Sequence, residues 1–292
     1  MIQKTQPAFD DPSSSAQSMT WEQACQTASL LGLPMFSTDL YLPAYRQGAV
    51  GRWRLTSGGF SVDRGYYSGT WGVWGLPALL RNADGDGKTW ETWMSLSPLE
   101  IESQGIAPRH AHGHTVVMGL GMGWVAINIA MNPAVSHVSV IERDPDVISL
   151  FGWSNALAGL PAEVTDKIDI IHADALAWRP APGLAADFLY ADIWSNLDEP
   201  QTLDDVRRMQ ANVAAKMVYY WGQELSLHAL TAPQMPADGT PDQWAAALQR
   251  CRDHEIALPL LFPTDMDYVD FIVGVARQRR LRWPNGVTDH AG

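Results

Sequence analysis

The chain has 292 residues, enough for one large domain or for a main domain with a smaller one. With 46% hydrophobic and 18% charged residues it can build a sizeable core, which excludes global disorder. Acids outnumber basic residues 32 to 20, a formal net charge of −12, so the basic stripes of a nucleic-acid footprint are not expected, and a neutral or cationic small molecule suits the balance better.

Residues 1–19 are polar, with Ser13-Ser14-Ser15, and read as a flexible tail without the apolar core of a signal segment. Thr20-Trp21-Glu22-Gln23 opens a helix: Thr20 caps it, Gln23 closes a capping box, and apolar positions recur to Leu31 before Gly32 and Pro34 end it. Residues 35–50 read as irregular. From Gly51 to Thr92 the chain is rich in glycine, aromatic and β-branched residues. Trp53–Thr56, Phe60–Val62 and Trp71–Trp74 read as short strands, with Asp84-Gly85 and Asp86-Gly87 as hairpin turns. The expected organisation is a tail (1–19), a helix plus a small β-rich lobe (20–96), and a nucleoside-binding α/β domain with an atypical C-terminal segment (97–292).

Ser97-Pro98-Leu99-Glu100 starts the larger domain as a capped helix: Ser97 is the cap, Pro98 the first helical residue, and Glu100 closes a capping box. The helix should run to Gln104 and stop at Gly105. His110, His112 and His114 alternate before the next strand. An extended chain would place them on one side, yet no acid or cysteine is placed to complete a metal site, so they read as a polar lead-in. Cys25 and Cys251 form no metal framework either, and two isolated cysteines suit a reducing cytoplasm.

Val116 to Glu142 organises the whole chain. An apolar strand, Val116–Met118, enters the turn Gly119-Leu120-Gly121-Met122-Gly123. A short apolar helix runs from Trp124 to about Met131, and a strand, Val138–Ile141, ends on Glu142. Such a unit suits a nucleoside cofactor: glycines let the backbone approach the ligand, and the acid takes ribose hydroxyls. Trp124 stands where a dinucleotide turn needs its third glycine, and no Lys-Ser or Lys-Thr follows, so NAD and a P-loop are disfavoured. The unit's apolar stretch carries three glycines and Asn128, so it is not a membrane span.

Asp144-Pro145-Asp146 starts a helix through about Leu157, and Ile168–Ile171 forms the third strand, followed by Asp174. Ala186–Ala191 is the fourth strand and ends at Asp192-Ile193-Trp194. Gln201–Ala215 is helical. Lys216–Tyr220 is the fifth strand, closed by Trp221-Gly222-Gln223-Glu224. Ligands of open α/β sheets bind beyond the carboxyl ends of the strands, where the glycine turn, Glu142, Asp174 and Asp192 all converge. Asp242 to about His254 is helical, Tyr268–Val273 reads as either helix or strand, and Arg277, Arg279, Arg280 and Arg282 form a solvated basic helix end.

The G-x-G-x-G turn with an acid closing the next strand resembles motif I of the class I S-adenosylmethionine (SAM) dependent methyltransferases. The passage Asn132 to Ile148, NPAVSHVSVIERDPDVI, is similar to the corresponding passage of spermidine synthases, which share that fold. The resemblance covers about residues 98–225. It implies a Rossmann-like sheet with helices on both faces, preceded by the β-rich lobe, and SAM or decarboxylated SAM as cofactor. It assigns Gly119, Gly121, Gly123 and Glu142 to the cofactor, Asp174 to the adenine amine, and Gln104 to the methionine end. Asp174 has an equal reading as a helix cap. Asp192 matches by position the aspartate that deprotonates or orients the attacking amine in spermidine synthases, although the acid-proline pattern after it is absent. So is the Asn-Pro-Pro-Tyr motif of amino-directed nucleic-acid methyltransferases. Glu224 is a second candidate base or simply opens the next helix. Trp194 and Tyr220 are candidate pocket walls, Trp194 equally a packing residue. The expected activity is methyl transfer to a small molecule, with aminopropyl transfer from decarboxylated SAM or a non-catalytic SAM-fold binding module as alternatives. The last predicts that Asp192→Asn and Glu224→Gln leave function intact. Neither nucleic acid nor membrane is an expected partner; a homodimer is the assembly the reading allows.

Overall fold

The computed structural model describes residues 19–85, 88–235 and 240–282, with side chains to 279. Residues 1–18 of the expected tail, the Asp86-Gly87 turn and the side chains of Arg280 and Arg282 lie outside the described residues. The first helix, α1 (Trp21–Leu30), forms with the expected capping box: the Thr20 hydroxyl accepts from the Gln23 N–H, and the Gln23 side chain accepts from the Thr20 N–H.

The lobe contains β1 (Gly48–Val50), β2 (Trp53–Ser57), β3 (Phe60–Arg64), β4 (Thr70–Trp74), β5 (Pro77–Arg81) and β6 (Glu91–Ser95). They build an antiparallel sheet, β1-β2-β5-β6, and a separate hairpin, β3-β4. β1, which falls in the stretch read as irregular, and β6 lie beyond the expected strands, and so does β5. Pro77 hides β5, although proline is tolerated as a first strand residue; opposite Leu79 and Leu80 the partner strand β6 carries Trp93 as the extra residue of a bulge.

Two short helices, α2 (Pro98–Gln104) and α3 (Ile106–His110), lead into the main sheet. Ser97 caps α2, but Glu100 does not close a capping box; its Oε1 accepts from the Ser95 N–H instead, at 2.8 Å. α2 ends at Gln104 with Gly105 as its C-cap, as expected, and α3 follows at once because Gly105 keeps right-handed helical conformation.

The elements that follow are β7 (Gly113–Met118), α4 (Trp124–Met131), β8 (Val135–Glu142), α5 (Pro145–Trp153), α6 (Ala162–Thr165), β9 (Ile168–His172), β10 (Phe188–Ala191), α7 (Thr202–Val213), β11 (Met217–Tyr220), α8 (Gln223–Thr231), α9 (Pro241–Arg250) and α10 (Tyr268–Arg282). α5 stops before Leu157, and Asn155 just past its end adopts φ +59°. The main sheet is parallel throughout, in the order β9-β8-β7-β10-β11. In sequence rank this is 3-2-1-4-5, the Rossmann-like α/β order, with its switch point between β7 and β10. Its central strands are buried on both faces, which explains why Val116–Met118 and Phe188–Ala191 read as unbroken apolar runs. α4 is buried all round from Trp124 to Ala130, as its apolar sequence requires, and only Met131 at its end is exposed. Asn128 within it is satisfied by the Tyr41 backbone and the Trp124 carbonyl.

The C-terminal part settles what the sequence leaves open. Tyr268–Arg282 is helix, not strand. In place of a sheet-extending hairpin, Leu260 makes an isolated parallel bridge to Val218. α10 then reaches the lobe: Phe271 packs against Tyr66 and Tyr67, and Gln278 donates to the Ser68 carbonyl. One continuous buried core runs from Trp53, Leu55 and Leu79 of the lobe into the sheet and on to Val275. None of the described helices is long and apolar enough to cross a membrane.

Candidate functional site

The glycine turn leaves β7 with Gly119, Gly121 and Gly123 at φ +98°, +50° and +75°, backbone that side-chain-bearing residues rarely adopt. A Cβ on Gly119 would also collide with the Asp192 carbonyl, one on Gly121 with the Met94 thioether, and one on Gly123 with the Phe151 ring. The turn is therefore pressed between the end of β10, the lobe and α5. Trp124 sits directly after it, fully buried, donating from its indole to the Tyr41 carbonyl at 2.8 Å.

Glu142 closes β8 beside this turn. One carboxylate oxygen accepts from the Leu120 N–H at 3.0 Å and the other from the Asp144 N–H at 2.7 Å. Each oxygen keeps a further lone pair for a ligand. Asp174 follows β9 and accepts from the Leu176 N–H at 2.9 Å, while its carbonyl accepts from Ala177 and Trp178. Asp174 thus opens a turn rather than the short helix it could have capped.

A cavity of about 240 Å³ lies on this edge, over the switch point, and Gly119, Gly121, Glu142, Asp174, Asp192 and Gln104 all line it. Gly123 stands behind it against Phe151. Gln104 is buried and its Oε1 has no hydrogen-bond partner. Asp192 accepts from the Tyr190 hydroxyl at 3.2 Å, and burial pushes its carboxyl up to about 7. Trp194 is a wall of the cavity and its indole donates to Asp205 on α7 at 3.0 Å, so this side chain both packs and lines.

Two sequence candidates lie elsewhere. Glu224 does not line the cavity but sits fully buried among tyrosines. It accepts from the hydroxyls of Tyr268 (2.6 Å), Tyr66 (3.0 Å) and Tyr219 (3.2 Å), and burial raises its pKa. The Gly222 turn directs α8 inward, beneath the lobe, rather than to the ligand edge. Tyr220 is also fully buried and lines no part of the cavity, because strand alternation points it to the opposite face of β11 from Tyr219. The three histidines do not share a side. His110 ends α3 near Asp265, His112 is in the loop, and His114 lies in β7, bonded to Ser139 and the Ala185 carbonyl.

Other lining residues escape the sequence reading. Glu100, read chiefly as a cap, is a second carboxyl of the cavity. Burial and, secondarily, the Asp192 charge raise it to about 8, against the lowering effect of the Ser95 N–H; its Oε2 is unpartnered. Trp221 forms a wall and is fixed by donation to the Ser103 hydroxyl at 2.8 Å. The lobe supplies Arg52, Trp53, Leu79, Arg81, Trp93 and Met94. The only sequence signal for them is the alternation Trp53-Leu55 and Leu79-Arg81, which puts each pair on one sheet face.

No family model matches the sequence, and no curated protein does. Among solved structures, the glycopeptide N-methyltransferase MtfA complexed with SAM is 22% identical, with a TM-score of 0.30, covering 38% of this chain and 43% of that one. The O-methyltransferase TomG from Streptomyces achromogenes, in complex with SAM, is 16% identical at TM-score 0.32, with 52% and 64% covered. A putative O-methyltransferase from Klebsiella pneumoniae is 19% identical at TM-score 0.28, with 38% and 49% covered. The chain thus spans less than two thirds of each of these proteins. Likenesses this slight carry no argument about activity; the Rossmann-like fold rests on the chain's own strand order and switch point.

Proposed function

We propose that the chain is a SAM-dependent methyltransferase acting on a small molecule. The observation that supports this is the convergence on one cavity of a positive-φ glycine turn, Glu142, Asp174 and Asp192, contributed by the ends of β7, β8, β9 and β10. The groups present fit that cofactor. Glu142 would take the ribose hydroxyls with its spare lone pairs, and Asp174 the adenine amine. Gln104 offers an unpartnered buried acceptor for the α-ammonium group. SAM, when bound, supplies a methyl group already activated by its sulfonium.

The chain's own task is then alignment, exclusion of water and proton removal. Asp192, at about 7, is divided between its two forms near neutral pH, as a general base working there should be. Trp194 and Trp221, anchored through their indole N–H groups, would hold the acceptor without moving themselves. Glu224, enclosed by tyrosines outside the cavity, has no part in this scheme.

The second reading is aminopropyl transfer from decarboxylated SAM. Glu100 favours it: two electrostatically interacting carboxyls, Glu100 and Asp192, suit the ammonium groups of a polyamine. Calorimetric titration with SAM, decarboxylated SAM and NAD, repeated on Glu142→Ala, separates these. SAM binding lost in the variant supports methyl transfer, and preference for decarboxylated SAM supports the second reading. No heat with any of the three overturns both and leaves a binding module.

A further inference from the structure

Three arginines, Arg52, Arg81 and Arg143, line the cavity beside its acids, and Arg81 is set apart by its seat. Arg81 ends β5, opposite Trp53 of β2 across the antiparallel ladder. Its guanidinium carbon lies 5.3 Å from the centre of the Trp93 ring and 5.9 Å from that of Trp53, a cation–π seat that holds the group without neutralising it. Arg81 lines the cavity, and its Nε is buried with no hydrogen-bond partner. Among the described residues it forms no ion pair; Glu91, its neighbour on the other strand, is exposed. A buried guanidinium donor without an acceptor is costly unless a ligand supplies one.

The place of Arg81 narrows what that ligand group is. Trp93 adjoins Met94, whose thioether accepts from the Met122 N–H at 3.3 Å and covers Gly121. The indole of Trp53 donates to Asp144, just past Glu142. Arg81 therefore overhangs the region between the glycine turn and Glu142. Gln104 and Glu100, the cavity's unpartnered acceptors, lie on α2, the helix that follows β6. The same cavity thus holds an anion-seeking donor and two unpartnered acceptors. This is the complement of a zwitterionic amino acid, with its carboxylate toward Arg81 and its ammonium toward Gln104 and Glu100.

Resting on the proposed reading that a SAM-type nucleoside occupies the cavity, we propose that Arg81 binds the α-carboxylate of the cofactor's methionine end and so makes the chain select SAM over decarboxylated SAM. The two ligands differ only in that carboxylate. The selection is made by the lobe rather than by the glycine turn, which touches what both ligands share.

The test is calorimetric titration of the full chain and of Arg81→Gln with SAM, decarboxylated SAM and 5′-methylthioadenosine, which lacks the whole amino-acid end. The expected result is that the wild type binds SAM about 10- to 100-fold more tightly than decarboxylated SAM. Arg81→Gln removes that preference by weakening SAM alone, leaving the other two within about twofold. Arg81→Lys, which keeps the charge and the stem, recovers part of the SAM affinity and guards against a folding artefact in Arg81→Gln. Equal weakening of all three ligands in Arg81→Gln, or an unchanged SAM affinity, overturns the assignment while leaving the nucleoside site standing. Absence of binding to all three in the wild type overturns the cofactor reading itself.

Discussion

Asp192 should make the protein less stable as pH rises, and Asp192→Asn should remove that dependence. Its carboxyl is buried at the end of β10 and raised from 3.8 to about 7 by desolvation, with the Tyr190 hydroxyl only partly offsetting it. A group whose pKa is higher folded than unfolded contributes fully below the unfolded value and loses that contribution as pH climbs through the folded one. The penalty therefore opens near pH 4, grows by about 1.4 kcal/mol per pH unit, and levels off above pH 7 at about 4 kcal/mol. That is an upper figure, because an ionised carboxylate draws water into the cavity it lines. The amide of Asp192→Asn cannot ionise and can still accept from Tyr190. Urea unfolding of both proteins without ligand, at pH 4.5, 6 and 8, checks this. Asp192→Asn should exceed the wild type by no more than about 1 kcal/mol at the lowest pH and by about 2–4 kcal/mol at pH 8. A difference that is the same at all three pH values would refute the buried, proton-holding carboxyl, and with it the base assigned to the reaction. Under the proposed function the same variant should lose about 10²- to 10⁴-fold in turnover.

Further outcomes follow from other parts of the site. Turnover of the wild type should rise with pH through about 7, since Asp192 must be ionised to accept a proton, and a flat profile from pH 6 to 8 would count against it. Gly119→Ala should cost more stability than Gly121→Ala, because the added methyl meets the backbone carbonyl of Asp192 in the first case and only the flexible Met94 side chain in the second. Left-handed strain adds about 1–2 kcal/mol to both, and thermal unfolding ranks them. Glu224→Gln should leave cofactor affinity within about twofold by calorimetry, since the site lies elsewhere. Glu224→Ala, which takes the acceptor from the Tyr66 and Tyr268 hydroxyls and leaves Tyr219 only the Ser103 carbonyl, should lose about 3 kcal/mol in urea unfolding.

Much of the fold was legible because its signals are local. The capping box at Thr20 and Gln23, the G-x-G-x-G turn and the apolar runs of β7 and β10 each follow from short-range chemistry, and all formed as read. The edge that carries the cavity was legible for a related reason, since strand direction alone brings Glu142, Asp174 and Asp192 to one side. What failed depended on long-range packing. Glu224 follows β11 by four residues and looked like its neighbours at the edge. Its fate was set by Tyr66 and Tyr268, 158 and 44 residues away. Glu100 had a sufficient local explanation as a cap, and that explanation concealed a buried carboxyl drawn to Ser95.

The cavity is a joint product of lobe and sheet, and that bears on how it is held together. The body supplies the glycine turn and the strand-end acids, while the lobe supplies Trp53, Arg81, Trp93 and Met94, so the enclosure exists only when the two are docked. Glu224 is where that docking is fixed. Its carboxylate gathers a hydroxyl from the lobe (Tyr66), one from β11 (Tyr219) and one from α10 (Tyr268), and α10 returns to the lobe through Gln278. A buried acid costs free energy unless its bonds are complete, so this cluster favours only the arrangement in which all three elements meet. The residue that sequence position suggested as a base thus serves the site from outside it, by keeping the lobe's arginine and indoles over the glycine turn.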